Sequence, residues 1–402
     1  MNIFKKFYCR AFQTAFKIML PLLPYRQPKI LNNNEEVCEV LKENNISTVL
    51  LITDQGIKSL GLTNSLEEQI KKQKISLNVF DKTVPNPTTD NVAEALEIYI
   101  NNNCQALIAF GGGSVMDCAK AVGAKVARPN KSLSKMKGVL KVGKKIPLLI
   151  AVPTTAGTGS ETTLAAVITD SQTRHKYAIN DFPLIPKYAL LDENLTVGLP
   201  KHITSTTGMD ALSHAVEAFI GKSTTKQTRK CALFATKTIL DNILEVYENP
   251  QNLTARKNML LASYNAGVAF TKSYVGYVHA VAHTLGGKYN TPHGLANAVI
   301  LPVVLRMYGK AAHKKLWKLG LHCNLFNKNT SYEDGANKFI SKIEELNSKM
   351  QIGSTISALK KEDIEELSKT AAHEANPLYP VPKLWDAKKL EEVYYKILEE
   401  NK

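Results

Sequence analysis

Through its first half the chain alternates short, apolar, β-branched runs with helical periodicity, and past residue 197 strand-like runs become rare. STVLLIT (47–53), QALIAF (105–110), PLLIAVPTT (147–155) and KYALLD (187–192) read as buried strands. Apolar runs of this length, with helices between them, belong to a parallel sheet covered on both faces. ALSHAVEAFIG, KCALFATKTILDNILEVYEN and KLEEVYYKILEE then place apolar residues at helical spacing. The length of 402 residues exceeds what one core usually serves. The expected architecture is an α/β domain with a parallel sheet over 1–197, its first 25 residues a basic amphipathic extension, followed by an all-helical domain over 198–402.

Two glycine- and hydroxyl-rich stretches follow strands. GGGSVMDCAKAVGAK begins at Gly111 and runs into a helix. Glycines let a backbone approach a phosphate closely, and the helix start offers unpaired N–H groups and its positive dipole end. Gly111, Gly112, Gly113 and Ser114 are therefore candidates to hold a pyrophosphate. The triplet is not the G-x-G-x-x-G fingerprint, so an ordinary Rossmann site is not indicated. PTTAGTGSETT (153–163) offers Thr154, Thr155 and Thr158 as donors to a ribose or phosphate; it also reads as a capped helix start, with Thr158 or Ser160 as the cap. Asp54 ends the strand STVLLIT, where a carboxylate suits the adenosine ribose 2′-OH and repels the 2′-phosphate of NADP, which favours NAD.

Histidine is scarce, nine in all, yet VHAVAHTLGGKYNTPHG (278–294) holds three. His279 and His283 are one helical turn apart, and His293 follows in a turn. Asp210 and His214 in TTGMDALSHAVEAF repeat the same spacing, which puts both on one helix face. An aspartate with two or three of these imidazoles suits Fe²⁺ or Zn²⁺.

The charge balance narrows the remaining classes. The net charge of +15 lies wholly in residues 1–30 and 118–149, which hold fifteen Lys and Arg and no acid. Neither segment carries the interleaved aromatics or named motifs of nucleic-acid binders. The stretch 118–149 reads as a solvated loop or as a basic rim for an anionic cofactor. In MNIFKKFYCRAFQTAFKIMLPLLPYRQP, Phe4, Tyr8, Phe12, Phe16 and Met19 recur at helical spacing among Lys5, Lys6, Arg10 and Lys17. A helix docked on the protein itself is favoured over a membrane-surface helix, and a secretory signal is least expected because Gln13 and Lys17 interrupt the apolar run. No apolar run reaches the roughly 18 residues of a spanning helix. Six scattered cysteines without a CxxC pair suit reduced thiols in the cytoplasm.

As a set, GGGSVMDCAK, PTTAGTGSE, TGMDALSHAVEAF and VHAVAHTLGGKYNTPHGLANAVILP resemble the iron-containing (group III) alcohol dehydrogenases, from about residue 26 onward. The resemblance implies a dinucleotide-binding α/β domain, a helical metal-binding domain of the dehydroquinate synthase-like superfamily, and a cleft between them. It puts the metal ligands at Asp210, His214, His279 and His293, and sets His283 beside the nicotinamide as the catalytic proton carrier. Cofactor positions fall on Asp54, Gly112, Gly113, Ser114, Thr154, Thr155 and Thr158, with Lys176 added. The implied activity is hydride transfer between a small primary alcohol or aldehyde and NAD(H), with Fe²⁺, or alternatively Zn²⁺, in a homodimer or larger homo-oligomer. A polyol dehydrogenase of the same superfamily is the enzymatic alternative, and a basic scaffold or nucleic-acid binder retaining the fold the non-enzymatic one. The single lysine near the histidines, Lys288, speaks against a phosphorylated sugar acid as substrate.

Overall fold

A computed structural model describes residues 1–399. The chain divides into two compact units, one of Pro24–Gly198 and one that joins Met1–Leu23 to the chain from Leu199 onward. The N-terminal extension thus belongs with the helical unit, not with the α/β half to which sequence order assigned it.

The first unit is built on a six-stranded, wholly parallel sheet. Its strands are β1 (Lys29–Leu31), β2 (Thr48–Ile52), β3 (Ser76–Phe80), β4 (Ala106–Gly111), β6 (Leu148–Pro153) and β9 (Tyr188–Leu190). A smaller sheet pairs β5 (Gly138–Val139) parallel with β8 (Lys176–Asn180), which lies antiparallel to β7 (Ala165–Thr169). The sequence reading anticipated β2, β4, β6 and β9, and passed over the short edge strand β1, the polar β3 and all of the second sheet. Side chains alternate between two cores. Leu50, Ile52, Leu107, Ala109, Leu149 and Ala151 enter one. Val49, Leu51, Ile108, Phe110, Ile150 and Val152 enter the other. Both faces being covered, each central strand reads as an unbroken apolar run.

The strand order is β1-β9-β6-β4-β2-β3. After β2 the chain adds β3 on one side, and from β4 onward it builds the other way, so the order reverses between β2 and β4. Ligands of open α/β sheets bind outside the carboxyl ends of the strands at such a switch point. Asp54, Gly111–Ser114 and Thr154–Thr158 follow the carboxyl ends of β2, β4 and β6, three adjacent strands.

The helical unit centres on the helix Lys201–Ile220, in which every residue from Gly208 to Ile220 is buried. It is not amphipathic because it has no water-facing side there. The helices Lys226–Glu248, Leu253–Ser273 and His293–Tyr308 pack around it. Polar groups within this stretch, Asp210, His214 and Glu217, are held out of water, which demands partners for each.

Candidate functional site

Asp210 and His214 stand one turn apart on the central helix. His279 lies in the first turn of the helix Tyr277–Tyr289, and His293 is the first residue of the helix His293–Tyr308. The short turn between those two helices is set by Asn290 in the left-handed conformation and by Pro292, which opens the next helix. Gly294 lets that helix start against the central one: a Cβ there would lie 2.4 Å from the Thr206 carbonyl oxygen. Asp210 Oδ1 lies 4.0 Å from His214 Nε2, 3.8 Å from His279 Nε2 and 3.6 Å from His293 Nε2. One ligand atom from each of the four residues falls within 4.8 Å of every other.

The donor set fits a divalent ion. A carboxylate and three imidazoles match Fe²⁺ or Zn²⁺, and the spacing is near the edge of a coordination shell with bonds of about 2.1 Å. Burial, then the neighbouring His214, His293 and His283, drives the His279 pKa well below the usual histidine value, so its ring is neutral and its nitrogen can coordinate.

Two residues that sequence reasoning missed complete this centre, and a third anchors His283 beside it. Glu217 accepts from the backbone N–H of Gly276 at 2.8 Å and of Val278 at 2.9 Å, and its Oε2 meets His279 Nδ1 at 2.7 Å. It therefore caps the helix that carries His279 and fixes the ring so that Nε2 faces the ligand cluster. Burial pushes the Glu217 carboxyl up to about 7 against the pull of those N–H groups. Asn297, wholly buried, directs its Nδ2 at Asp210 Oδ1 (2.6 Å), His293 Nε2 (3.0 Å) and His279 Nε2 (3.2 Å). Glu374 takes His283 Nδ1 at 2.6 Å and the Tyr379 hydroxyl at 2.6 Å. Burial would raise its pKa, but the charge and hydrogen bond of His283, with the Tyr379 hydroxyl, hold it below the ordinary glutamate value. Glu217 and Asn297 carried a signal, standing three and four residues beyond His214 and His293 on the same helix faces. Glu374, 91 residues from its partner, carried none.

The structure brings Asp210, His214, His279 and His293 together and sets His283 apart. The His283 ring stacks on His293 at 5.3 Å while its Nδ1 is anchored on Glu374.

In the α/β unit, Gly112 caps the helix Gly113–Ala127 with no side chain bonded to its N–H groups. A Cβ at Gly111 would strike Val115 at 2.6 Å, so that glycine serves strand–helix packing. A Cβ at Gly112 would meet only Thr155, at 3.7 Å, so the protein itself makes no steric demand for glycine there. The space in front of that helix start is the cradle that suits a phosphate. Thr158 Oγ1 accepts from the Ser160 N–H at 3.2 Å, a local turn; the short helix Ser160–Thr162 that follows is capped by Gly159 without a side-chain bond, so neither Thr158 nor Ser160 is the cap expected from the sequence. Asp54 caps a local helix, accepting from the Ile57 N–H at 2.9 Å. Lys176, which begins β8, donates to Asn86 Oδ1 at 2.7 Å, and the Asn86 N–H donates to Ser114 Oγ at 3.3 Å. Asn86, also unforeseen, thus ties Lys176 to the glycine loop.

Lys120 corrects the reading of 118–149 as a solvated segment. It is fully buried, and its Nζ donates to the carbonyls of Ser160 (2.7 Å) and Ala165 (2.9 Å) and to the hydroxyls of Thr163 (2.8 Å) and Ser160 (3.1 Å). It staples the 153–163 loop to the helix that follows the glycine triplet. Burial lowers its pKa to about 8, opposed by the charges of Asp117 and Glu161.

An open parallel sheet with a glycine loop at its switch point, joined in one chain to a helical unit with a carboxylate–histidine centre, defines a metal-dependent oxidoreductase. A family model described as iron-containing alcohol dehydrogenase matches residues 29–193, and one described as the C-terminal part of the Fe-containing alcohol dehydrogenase family matches 204–398. Alcohol dehydrogenase 4 of Saccharomyces cerevisiae is 35% identical over 345 residues, covering 85% of this chain and 88% of its own. NAD-dependent methanol dehydrogenase of Bacillus methanolicus is 36% identical over 342 residues, 84% of this chain and 89% of its own. A solved 1,3-propanediol oxidoreductase superposes with a TM-score of 0.89 at 31% identity, covering 93% of this chain and 98% of that one. The chain belongs to the iron-containing alcohol dehydrogenase family.

Proposed function

We propose that this protein interconverts a small primary alcohol and its aldehyde with NAD(H), using Fe²⁺ held by Asp210, His214, His279 and His293. The convergence of those four ligand atoms within 4.8 Å carries the reading. The similarity to an NAD-dependent methanol dehydrogenase supports NAD as the cofactor. Asp54 at the end of β2 supports it over NADP, because a carboxylate there repels a 2′-phosphate.

A bound divalent ion supplies Lewis acidity, which makes a hydroxyl easier to deprotonate near neutral pH, and a bound nicotinamide accepts a hydride. Asp210 would offset the charge of a bound ion, and the three imidazoles would hold it through Nε2, the atoms that face Asp210 Oδ1. Glu217 holds the proton on His279 Nδ1, so the ring keeps the tautomer that coordinates. His283, anchored through Nδ1 on Glu374, takes the hydroxyl proton at Nε2. With ion and cofactor bound, the net change these residues would support is alcohol and NAD⁺ to aldehyde, NADH and one proton, the proton leaving through His283. Gly112, Gly113 and Ser114 would receive the pyrophosphate, with Gly111 setting the close strand–helix approach behind them, while Thr154, Thr155 and Thr158, with Lys176, would line its approach. Six unpaired thiols, five of them buried, accord with a reducing, cytoplasmic setting.

The test is to strip the ion with a chelator, restore Fe²⁺ or Zn²⁺ separately, and follow NADH oxidation with short-chain aldehydes. Activity should vanish and return with metal; activity that survives chelation overturns the reading. For His283, a His283→Ala variant that retains metal should show an altered pH profile of kcat/KM, and an unchanged profile removes it from the proton path.

A further inference from the structure

The N-terminal helix, Ile3–Met19, is docked by the wrong side for a helix held by the hydrophobic effect. Gln13, only 4% exposed, donates to the carbonyls of Pro377 (3.0 Å) and Tyr379 (2.8 Å). Arg10 donates to those of Val381 (2.8 Å) and Pro382 (3.1 Å), and Phe16 meets Tyr274 edge to face at 5.1 Å. Cys9 and Leu20 finish the inward side. Polar bonds to loop carbonyls hold the helix, and of the stripe Phe4, Tyr8, Phe12, Phe16 and Met19 all but Phe16 are exposed.

Phe4 is 82% exposed, Phe7 76%, Ile18 69% and Leu22 77%, with Tyr8 and Met19 beside them. At about 100° per residue, Phe4, Phe7 and Ile18 fall within about 60° of one another. Large apolar side chains gathered exposed on one face of a helix mark an interaction surface. Lys5, Lys6 and Lys17 flank it, all exposed, and no acidic residue precedes Glu35. The positive charge continues past the helix end. Lys315 has its pKa lowered to about 8 by burial and then by the nearby cations Lys17, Arg229, Lys222 and Lys318. The family model that covers the α/β unit begins to match at residue 29, beyond this helix.

We propose that this face seats the enzyme on an anionic lipid surface, the Phe4, Phe7, Ile18 and Leu22 side chains entering the headgroup–acyl boundary while the lysines meet lipid phosphates. The helix would lie in the interface plane. Among the described residues no helix is long and apolar enough to cross a membrane, so the contact is peripheral. A second copy of the chain is disfavoured as the occupant, because pairing two such faces opposes Lys5, Lys6 and Lys17 to their own copies, and the helix itself carries no acid to meet them. A nucleic acid would satisfy the lysines and leave the aromatic face in water.

The test uses the full-length, metal-loaded enzyme sedimented with vesicles of phosphatidylcholine, with and without about one quarter phosphatidylglycerol. Binding should favour the anionic vesicles about tenfold or more and weaken with added salt. Phe4→Glu combined with Phe7→Glu should abolish it with the dehydrogenase rate unchanged. Lys5→Gln and Lys6→Gln should each weaken it about fivefold. No binding by the wild type, or equal binding by the Phe4→Glu/Phe7→Glu variant, overturns the proposal. So does a wild-type oligomer that this variant dissociates in sedimentation velocity, or duplex DNA binding that the variant retains.

Discussion

Among single residues, Glu217 serves the metal centre without being one of its ligands. Its carboxylate accepts from three donors at once, Gly276, Val278 and His279. A glutamine has one acceptor oxygen and an NH₂ that would face a donor, so Glu217→Gln leaves His279 without a fixed tautomer. The expected loss is about 10- to 100-fold in metal affinity, read by competition with a chelator. Lys120 gives a second prediction, on pH. Its folded pKa is about 8 against an ordinary 10.5, so between these values the unfolded chain binds more protons than the folded one. Stability contributed through this group therefore rises as pH climbs from about 8 to about 10.5. Lys120→Met also removes the shared donor of two carbonyls and two hydroxyls, of which the Ser160 carbonyl keeps the Thr163 N–H, and should destabilise by about 2–4 kcal/mol. Urea unfolding at pH 8 and pH 10 should show the gap between wild type and variant widening with pH.

At the level of elements, the centre depends on how closely three helices can start and cross. Gly294 sits where the helix His293–Tyr308 begins, against the Thr206 carbonyl. Because the clash of an added Cβ is with backbone, no rotamer change relieves it. Gly294→Ala should shift His293 away from Asp210, cost about 1–3 kcal/mol and lower bound iron, measured by metal analysis after gel filtration. Gly276 has the same kind of role, since a Cβ there would lie 2.6 Å from Glu217 Oε1. In the α/β unit, the close approach is at Gly111, against Val115, while Gly112 is left clear. One glycine of the triplet thus serves packing while another is left clear for the proposed phosphate, a division the string GGG does not display.

For the whole molecule, the ion would tie together residues from 210 to 293 within the helical unit, and both tryptophans, Trp317 and Trp385, lie in that unit. Chelation should lower the thermal transition seen by tryptophan fluorescence, a loss of about 4 kcal/mol if free metal had stood at a thousandfold excess over its Kd. If NADH binds at the glycine loop of the other unit, as proposed, its affinity should stay within about twofold. An equal fall in both would contradict this assignment of tasks to separate units. The sequence by itself determined the parallel sheet, the helical second half and the spacing that makes Asp210, His214, His279 and His293 a candidate set. These are local properties: apolar run length, helical period and the chemistry of residue types. Only the tertiary structure decided that Glu217 and Asn297 hold the centre and Glu374 anchors His283 beside it, that Lys120 is buried in an apparently solvated stretch, and that the N-terminal helix turns Phe4 and Phe7 outward. Those depend on which groups meet across long separations. Periodicity shows that a helix has an apolar face, but only its partners, here the carbonyls that bind Gln13 and Arg10, decide which way that face turns.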